Sequence, residues 1–325
     1  MLLRIRSVTW LTDEINAYEL VDPNGHDLPR FEAGAHIAVR LGAAEPGGAG
    51  QPAAVWRDYS LWNDPAERRR YCIAVLRDKV GQGSRQLHDT VRAGDLAEVS
   101  WPRNHFRLAD AAERHLLVAG GIGITPIMAM IAELKRRRAE FRLHYCARAP
   151  EKTAFRDELE LLAAMGRAEF HYDGGDPAKG LDVAALLRER QPGTHLYYCG
   201  PSGLMQAAAA AAAHWPAESV HFEYFTGPAA APPAALADDR PFRVRLAQSG
   251  GEFEVPAGET IAAVLKRHGV EIRVSCELGY CGTCLTRYLE GEPDHRDEIL
   301  NDTARKTHLL TCCARAKSDL LVLDL

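Results

Sequence analysis

The sequence lacks long hydrophobic runs and an excess of positive charge. No stretch approaches the roughly twenty apolar residues that a membrane span requires, and the start, MLLRIRSVTW, has too short an apolar run for a signal peptide. The formal net charge is −5, whereas a nucleic-acid-binding chain normally presents a basic face. We therefore expect a cytoplasmic protein with no membrane attachment and no nucleic-acid partner.

Cysteine is scarce as well. Eight cysteines in 325 residues are too few for the disulfide framework that holds small secreted domains together. The remaining composition, 46% hydrophobic and 26% charged residues, is that of a globular protein. A chain of this length is too long for one ordinary core, so two or three domains are expected.

Four of the cysteines follow a pattern with a specific chemistry. Three are spaced C-x4-C-x2-C and a fourth lies further along the chain, as in the plant-type ferredoxins that hold a [2Fe–2S] cluster; they are Cys276, Cys281, Cys284 and Cys312. Gly279 and Gly282 suit a loop that wraps tightly around a cluster, because glycine turns freely and brings backbone N–H groups close to the sulfurs. The spacing predicts an iron–sulfur protein that transfers single electrons.

A zinc site is the main alternative for these cysteines. Zinc sites favour paired C-x2-C modules, and only one such pair occurs here. The fourth ligand has an alternative too, since Cys312 and Cys313 are adjacent. Neighbours in an extended segment point to opposite sides, so one of them would face the cluster while the other packs elsewhere. We predict Cys312 as the ligand.

The chain divides into segments of different pattern. Residues 1–108 read as short alternating strands broken by Gly and Pro, typical of a small antiparallel β-barrel. Residues 109–226 alternate strands and helices, which predicts a parallel sheet with helices on both faces. A Pro- and Ala-rich stretch at 227–240 indicates a linker. Residues 241–325 carry two strands, a helix and the cysteine loop, an order that suits a β-grasp ferredoxin domain.

Several turns in the first two segments could hold phosphate groups. Gly120–Pro126 joins a buried strand to a helix, where unpaired N–H groups and glycines would let a pyrophosphate approach the backbone. Cys199-Gly200-Pro201 also ends a strand and starts a helix, and Gly81–Ser84 forms a Gly/Ser turn before a helix. Arg57–Leu61 places a cation and an aromatic side chain before a strand of the barrel. Each turn alone is also compatible with an ordinary loop.

Together and in this order, these segments resemble the phthalate dioxygenase reductase family over nearly the whole chain. The resemblance is carried by RDYSL at Arg57–Leu61, GQGSRQLHD at Gly81–Asp89, GGIGITPI at Gly120–Ile127, YYCGPSGLM at Tyr197–Met205, HFEYF at His221–Phe225 and the CELGYCGTC run. It implies an FMN-binding barrel, an NAD-binding α/β domain and a C-terminal plant-type [2Fe–2S] domain.

The resemblance also implies roles for individual residues. Arg57 would pair with the FMN phosphate, Tyr59 would lie against the isoalloxazine and Ser60 would sit near its N5, while Thr125 and Cys199 would lie at the nicotinamide. The cofactor-binding set is Arg57, Asp58, Tyr59, Ser60, Ala74, Val75, Leu76, Gly81, Gly83, Ser84, Gly120, Gly121, Thr125, Pro126, Cys199, Gly200, Pro201 and Phe225, the catalytic set is Ser60, Thr125 and Cys199, and the cluster ligands are Cys276, Cys281, Cys284 and Cys312.

The sequence departs from the family at one turn. Members often read GRGGS where this chain has GQGS, so one residue and an arginine are missing from the phosphate contacts. Arg148 follows the second strand of the α/β segment, where a 2′-phosphate could be recognised. The family's preference favours NADH.

The leading hypothesis is therefore a monomeric NADH-dependent reductase that passes electrons through FMN and a [2Fe–2S] cluster to a Rieske non-haem iron oxygenase or demethylase. A reductase for a haem monooxygenase is an alternative. A cluster-bearing redox carrier or sensor without NADH turnover is another, and so is a zinc-stabilised flavoprotein.

Overall fold

The computed structural model describes the chain except residues 42–54, 78–81, 226–238, 273, 275–278, 280–281, 298–299 and 301. Gly81, Cys276 and Cys281 therefore lie outside the described residues. The chain divides into two compact units, Met1–Phe225 and Thr226–Leu325. The first contains both the barrel and the α/β sheet, so the predicted boundary at 108/109 stays a prediction. No helix among the described residues has both the length and the apolar character needed to cross a membrane.

The first part of the chain forms an antiparallel ring of six strands. One sheet has the order β5-β2-β1-β6, and β3 pairs with β4 in a second. Single bridges, Leu61 with Ile73 and Val39 with Val99, join the two sheets, which confirms the barrel. The elements are β1 (Leu2–Thr12), β2 (Ile15–Val21), β3 (His36–Leu41), β4 (Val55–Ser60), β5 (Tyr71–Leu76), α1 (Gln82–Thr90) and β6 (Leu96–Glu98).

Alternation along these strands explains why they curl around a core. In β1, Leu3 and Ile5 are buried while Arg4 and Arg6 are exposed, because successive side chains of a strand point to opposite faces. The position of Arg57–Leu61 is a correction to the sequence prediction. This segment does not precede a strand; its first four residues belong to β4 itself.

The second part of the chain forms a five-stranded parallel sheet in the order β11-β10-β7-β8-β9. Its elements are β7 (Arg114–Gly120), α2 (Ile124–Arg137), β8 (Glu140–Ala147), α3 (Arg156–Ala164), β9 (Ala168–Tyr172), α4 (Val183–Leu187), β10 (Thr194–Cys199), α5 (Ser202–Ala211) and β11 (Val220–Glu223). The chain builds outward from β7 to β9 and then returns to the other side of β7. The switch point of the sheet therefore lies between β7 and β10.

Helix α2 shows how the sequence produces this layer. Ile124, Ile127, Ile131 and Leu134 recur at helical spacing and are buried against the sheet, whereas the last turn is basic with Lys135, Arg136 and Arg137. Cations at the carboxyl end of a helix interact favourably with its dipole. Arg138, in the left-handed conformation at φ 54°, ends the helix.

The second unit is built around a mixed five-stranded sheet in the order β13-β12-β18-β14-β16, in which β12 and β18 run parallel. Its elements are β12 (Phe242–Leu246), β13 (Glu252–Val255), α6 (Ile261–Arg267), β14 (Leu285–Glu290), β15 (Pro293–Asp294), α7 (Asp302–Arg305), β16 (His308–Leu310), β17 (Arg315–Ala316) and β18 (Leu320–Leu323). Helix α6 begins at Thr260, whose side chain accepts a hydrogen bond from the N–H of Ala263, and it packs its apolar side on the sheet.

Candidate functional site

One corner of the barrel brings an arginine to the start of a helix. A β-carbon on Gly83, in the first turn of α1, would lie 2.8 Å from Leu41 Cδ1 and 3.1 Å from Arg57 Cγ. The Arg57 side chain therefore runs across the start of α1, and a larger residue at position 83 would have to displace the Leu41 and Arg57 side chains. A helix N-terminus presents unpaired N–H groups and a positive dipole end, so this corner suits a phosphate. Ser84 lies half-buried beside it.

The edge of β5 offers a second feature that fits a planar, hydrogen-bonding ligand. On one side β5 pairs with β2 along its whole length. On the other side, its single bridge within the described residues joins Ile73 to Leu61. Beyond this bridge, at Ala74, Val75 and Leu76, no further strand pairs with this edge in the described part of the chain, and the Val75 carbonyl accepts a hydrogen bond from His88 Nε2 at 2.8 Å. An isoalloxazine ring, with donors and acceptors along one edge, matches such a backbone.

Strand β4 carries the remaining barrel residues of the predicted site. Tyr59 is half-buried, and burial raises the pKa of its phenol, so the group stays neutral. Asp58 lies 3.5 Å from Arg103 (Oδ1 to Nη2), which makes it a partner of the barrel's own arginine. Ser60 ends the strand opposite His36 of β3. Strand β4 therefore carries a carboxylate, a phenol and a hydroxyl at three consecutive positions, Asp58, Tyr59 and Ser60.

Two glycine turns meet at the switch point of the parallel sheet. A β-carbon on Gly123 would lie 2.3 Å from the carbonyl oxygen of Cys199, and one on Gly200 would lie 3.0 Å from Cα of Gly120. The close contact between the two turns therefore requires glycine at these positions. The sequence alone did not indicate this role. Gly121, at φ +52°, has open space around it. In α/β sheets ligands bind in this crevice.

The polar side chains of these turns point inward. Thr125 is 1% exposed, and its hydroxyl donates to the carbonyl of Ile122 at 3.0 Å. Cys199 is fully buried, and burial, together with the charge of Glu223, raises the pKa of its thiol well above the ordinary value. The thiol therefore stays protonated. Pro126 is buried in the first turn of α2, and Pro201 precedes α5.

A half-buried carboxylate joins the barrel to the parallel sheet. Glu223 ends β11, in register with Cys199 of β10. Its Oε2 accepts a hydrogen bond from Ser60 Oγ at 3.3 Å, and its Oε1 lies 3.6 Å from His36 Nδ1. Burial opposes the charged form of His36, but the Glu223 hydrogen bond and the Asp58 charge outweigh it and raise the His36 pKa. The end of barrel strand β4 and the ends of two strands of the parallel sheet, β10 and β11, thus converge.

In the second unit, the described cysteines lie in one apolar cluster. Cys284 and Cys312 are 3% and 2% exposed and pack with Ala262, Val274, Leu310 and Cys313. Gly279 and Gly282 both adopt positive φ, at 83° and 69°, as a tightly wrapped loop requires. Excluded water and a sulfur-rich, apolar pocket fit a cluster ligated by thiolates.

Cys313 has a different environment from its neighbour. Its Sγ lies 3.7 Å from the carbonyl of Leu310, to which the thiol donates. A β-carbon on Gly279 would come within 2.7 Å of this sulfur. Cys313 therefore packs against the cysteine loop itself, and Gly279 must remain glycine to allow that contact.

Comparison with known proteins identifies these parts. Residues 244–317 match the model of the 2Fe-2S iron-sulfur cluster binding domain, and residues 101–220 match that of the dimethylamine monooxygenase subunit DmmA-like N-terminal domain. The chain is 47% identical over 331 residues to the reductase subunit of a tert-butanol monooxygenase/tert-amyl alcohol desaturase from Aquincola tertiaricarbonis, covering 99% of this chain and 95% of the relative.

Several solved structures match over the whole chain. Phthalate dioxygenase reductase, described as a modular structure for electron transfer from pyridine nucleotides to [2Fe–2S], matches with 43% identity and a TM-score of 0.71 over 100% of this chain and 98% of that one. The chain belongs to the phthalate dioxygenase reductase family. A type IV self-sufficient cytochrome P-450 monooxygenase matches with 34% identity and a TM-score of 0.84, over 100% of this chain and 41% of the larger one.

As a phthalate dioxygenase reductase family member, the chain is an oxidoreductase and the reductase component of an oxygenase system. It passes electrons from a pyridine nucleotide through a flavin to a [2Fe–2S] cluster. This outcome confirms the resemblance and excludes the zinc-stabilised flavoprotein and the carrier without nucleotide turnover. The roles of individual residues, and FMN as the particular flavin, remain predictions.

Ser60, His36, Cys199 and Glu223 meet where the strand ends converge, and we call them the convergent cluster. Two of them, Glu223 and His36, were missing from the predicted site. Glu223 lies inside the HFEYF motif, of which only Phe225 was given a role, and Phe225 packs at the edge of the buried core. His36 stood in no motif. A carboxylate at the end of an apolar strand is a signal that could have pointed to Glu223, because buried charges are usually paired. His36 is apparent only from the folded barrel.

Proposed function

We propose that this protein is a monomeric, cytoplasmic, NADH-dependent FMN/[2Fe–2S] reductase that supplies electrons to a Rieske non-haem iron oxygenase or demethylase. The observation that supports it most is the convergence of Ser60, Glu223 and Cys199. It brings the end of a barrel strand against the switch point of the parallel sheet, where a flavin and a nicotinamide would have to meet.

FMN, when bound, accepts a hydride from NADH and returns the electrons one at a time to a [2Fe–2S] cluster. Arg57, Gly83 and Ser84, with Gly81, would hold the FMN phosphate at the start of α1. The edge of β5 at Ala74–Leu76 would hydrogen-bond the ring, and Tyr59 and Phe225 would enclose it. Asp58 would act through Arg103, since its carboxylate is engaged there.

The nucleotide would bind across the switch point. Gly120, Gly121, Pro126, Gly200 and Pro201 shape the two turns. Thr125 and Cys199 would lie at the nicotinamide, where the buried, protonated thiol presents a neutral surface. Glu223 would position Ser60 by accepting its hydroxyl hydrogen, which aims the oxygen lone pairs of Ser60 at the flavin. Cys276, Cys281, Cys284 and Cys312 would ligate the cluster.

Anaerobic reduction of the holoprotein tests this proposal. We expect one equivalent of NADH to bleach the flavin absorbance and then produce the paramagnetic signal of a reduced [2Fe–2S] cluster. Cys281→Ser should abolish the cluster signal and leave flavin bleaching by NADH intact. A flavin that NADH does not bleach, or an unchanged cluster signal in Cys281→Ser, would contradict the proposal.

Replacement of Ser60 tests the convergent cluster separately. A hydrogen bond to a charged group such as the Glu223 carboxylate contributes about 1.5–3 kcal/mol, which corresponds to at least about a tenfold change in rate. Ser60→Ala and Glu223→Gln should each slow flavin reduction by at least this factor in stopped-flow measurements. Ser100→Ala is the matched control: its hydroxyl accepts from Ala38 elsewhere in the barrel, so the rate should not change.

The electron acceptor is the second point to test, because the chain also matches the reductase part of a haem monooxygenase. Turnover should be compared with a Rieske oxygenase and with a haem monooxygenase as partner, each with NADH and NADPH. Faster turnover with the Rieske partner and NADH supports the proposal. A clear preference for the haem partner favours the alternative, and a preference for NADPH would assign Arg148 to a 2′-phosphate.

A further inference from the structure

Three potential metal ligands lie together on strands β8 and β9 of the parallel sheet. They are His144, Glu169 and His171, whose candidate ligand atoms all lie within 4.8 Å of one another. His144 Nδ1 is 3.0 Å from His171 Nε2. Glu169 Oε2 is 3.9 Å from His144 Nδ1, and Glu169 Oε1 is 3.9 Å from His171 Nε2. The carboxylate thus faces both imidazoles.

The register of the sheet places these side chains on one face. His144 is directly beside Glu169, and Cys146 is beside His171. Because paired residues of neighbouring strands share a face and residues two apart in a strand do as well, all three ligands project together. Glu169 is 48% exposed, whereas His144 and His171 are 7% and 15% exposed. The group is therefore a shallow pocket with a solvent-accessible entrance.

The distance between His144 Nδ1 and His171 Nε2 is close to that between two nitrogens bound to one metal ion. Ligand nitrogens at about 2.0–2.1 Å from one tetrahedral Zn²⁺ are about 3.3 Å apart, and the two nitrogens here need move only slightly. In the structure the same two nitrogens share a hydrogen bond. His144 Nε2 is buried without a hydrogen-bond partner among the described residues, both in this arrangement and with Nδ1 on a metal.

The protonation state favours binding of a cation. Burial lowers the pKa of His144 to about 4, with help from His171, and burial also lowers the pKa of His171. Both rings are therefore neutral at pH 7, as metal ligation requires. One imidazole changes its tautomer when the metal binds, so that both inner nitrogens offer lone pairs.

Among the residues that the structure describes, Arg142 is a positive group that faces the site. Arg142 donates to Glu169 Oε2 at 3.1 Å, and its hydrogen bond is the main cause that lowers the pKa of the Glu169 carboxyl. The carboxylate is thus charged at neutral pH. The guanidinium also repels an incoming cation, so Arg142 weakens the site without occupying the oxygen that faces His171.

We propose that His144, Glu169 and His171 form a binding site for a borderline divalent cation such as Zn²⁺, Ni²⁺ or Cu²⁺. Two imidazoles and one carboxylate suit these ions, and hard cations such as Mg²⁺ prefer oxygen-only sites. Three protein ligands leave a coordination position for water. The bound ion would tie the edge strand β9 to β8, independently of flavin, nucleotide and cluster.

Copper provides a direct test on the oxidised holoprotein, because oxidised flavin and an oxidised [2Fe–2S] cluster give no paramagnetic signal. With one equivalent of Cu²⁺ at pH 7.5, we expect a single type of Cu²⁺ spectrum with hyperfine splitting from two nitrogens. His171→Gln should remove this spectrum and lower the affinity for Zn²⁺, measured by equilibrium dialysis, more than about tenfold. Iron content must stay constant throughout.

Two further variants separate this site from other imidazoles. His195 and His221 form a similar stacked pair with nitrogens 2.9 Å apart. Among the described residues, no carboxylate lies close enough to complete a three-ligand group with them. His195→Gln should leave the two-nitrogen spectrum unchanged, and Arg142→Gln should raise the Zn²⁺ affinity by up to about fivefold. A spectrum retained in His171→Gln, or lost in His195→Gln, overturns the proposal.

Discussion

Individual glycines of this chain have different tasks. Gly123 is pressed against the backbone of Cys199 and Gly200, whereas Gly203, in the first turn of α5, has open space around it. Gly121 is also open but adopts a positive φ of +52°, which a side chain disfavours. The GGIGITP motif therefore combines one glycine needed for turn geometry with others needed for contact between turns.

Replacement of Gly123 should reveal this contact. The β-carbon of Gly123→Ala would lie 2.3 Å from Cys199 O, so backbone must move, and overpacking of this kind costs about 1–3 kcal/mol. We expect a loss of at least this size in denaturant unfolding and a raised KM for NADH. All five tryptophans, at 10, 56, 62, 101 and 215, belong to the first unit, so their fluorescence reports on it alone.

Gly203→Ala is the matched control for that measurement. Helical alanine is more favourable than glycine by about 1 kcal/mol, so this variant should keep or gain stability with an unchanged KM. Equal destabilisation by the two substitutions would show that the contact between the turns has no special role.

Adjacent cysteines should behave differently on substitution. We expect Cys312→Ser to lose the [2Fe–2S] signal, because the fourth thiolate would be missing. Cys313→Ser should retain the signal after dithionite reduction, because that side chain packs on Gly279 and donates to Leu310. Iron analysis together with low-temperature electron paramagnetic resonance measures both. The reverse result would make Cys313 the ligand.

At the scale of elements, each of the five strands of the parallel sheet carries one histidine with a lowered pKa. Burial is the main cause in all five, and the pKa is about 4 for His144 and His221. The set is His115, His144, His171, His195 and His221. A folded-state pKa below the unfolded value of about 6.5 means that the unfolded chain binds more protons as the pH falls.

The first unit should therefore lose stability as the pH falls from 6.5 towards 5, above the range where most carboxyl groups titrate. Each strongly affected histidine contributes a slope of up to about 1.4 kcal/mol per pH unit, less where solvent reaches the ring. His36 has the opposite sign, since its raised pKa gives stability that is lost as the pH rises. Urea unfolding at several pH values, followed by tryptophan fluorescence, measures the slope.

A histidine substitution provides the control for the pH experiment. His144→Gln should flatten the slope between pH 6.5 and 5, whereas His26→Gln, at an exposed position, should leave it unchanged. A free energy of unfolding that does not depend on pH in this range would contradict the assignment of these histidines as buried neutral groups.

Sequence patterns predicted the types of element well, but they gave no prediction of which strands pair. The barrel, the parallel sheet and the ferredoxin domain were expected from alternation, strand–helix rhythm and cysteine spacing, which are local signals. Strand β4 was missed, because Arg57 and Asp58 make it look like a loop. Their polar groups are accommodated by contacts far away in sequence, such as the pairing of Asp58 with Arg103. Glu223 and His36 were also missed, because their contact joins residues that are far apart in the sequence.

At the scale of the whole molecule, the described part of the second unit begins with a buried ionic contact. Asp239 Oδ1 lies 2.6 Å from Arg296 Nη2 and 3.5 Å from Arg315 Nε, and its side chain is 4% exposed. Arg315 in turn donates to the carbonyls of Arg240 and Pro256. Because removal of one partner leaves buried charge unpaired, any division of the chain must leave Asp239 with the second unit.

Expression of residues 1–225 and 239–325 as two proteins should separate NADH oxidation from reduction of the cluster. The first unit has its own core and all the proposed flavin and nucleotide residues, so it should still reduce ferricyanide with NADH. Reduction of the cluster by the first unit becomes bimolecular, and it loses the effective concentration, in the millimolar range for short linkers, that tethering provides. At micromolar protein, cluster reduction should therefore slow about 100- to 1000-fold and rise linearly with concentration. A rate equal to that of the intact chain at micromolar protein would show that tethering contributes nothing.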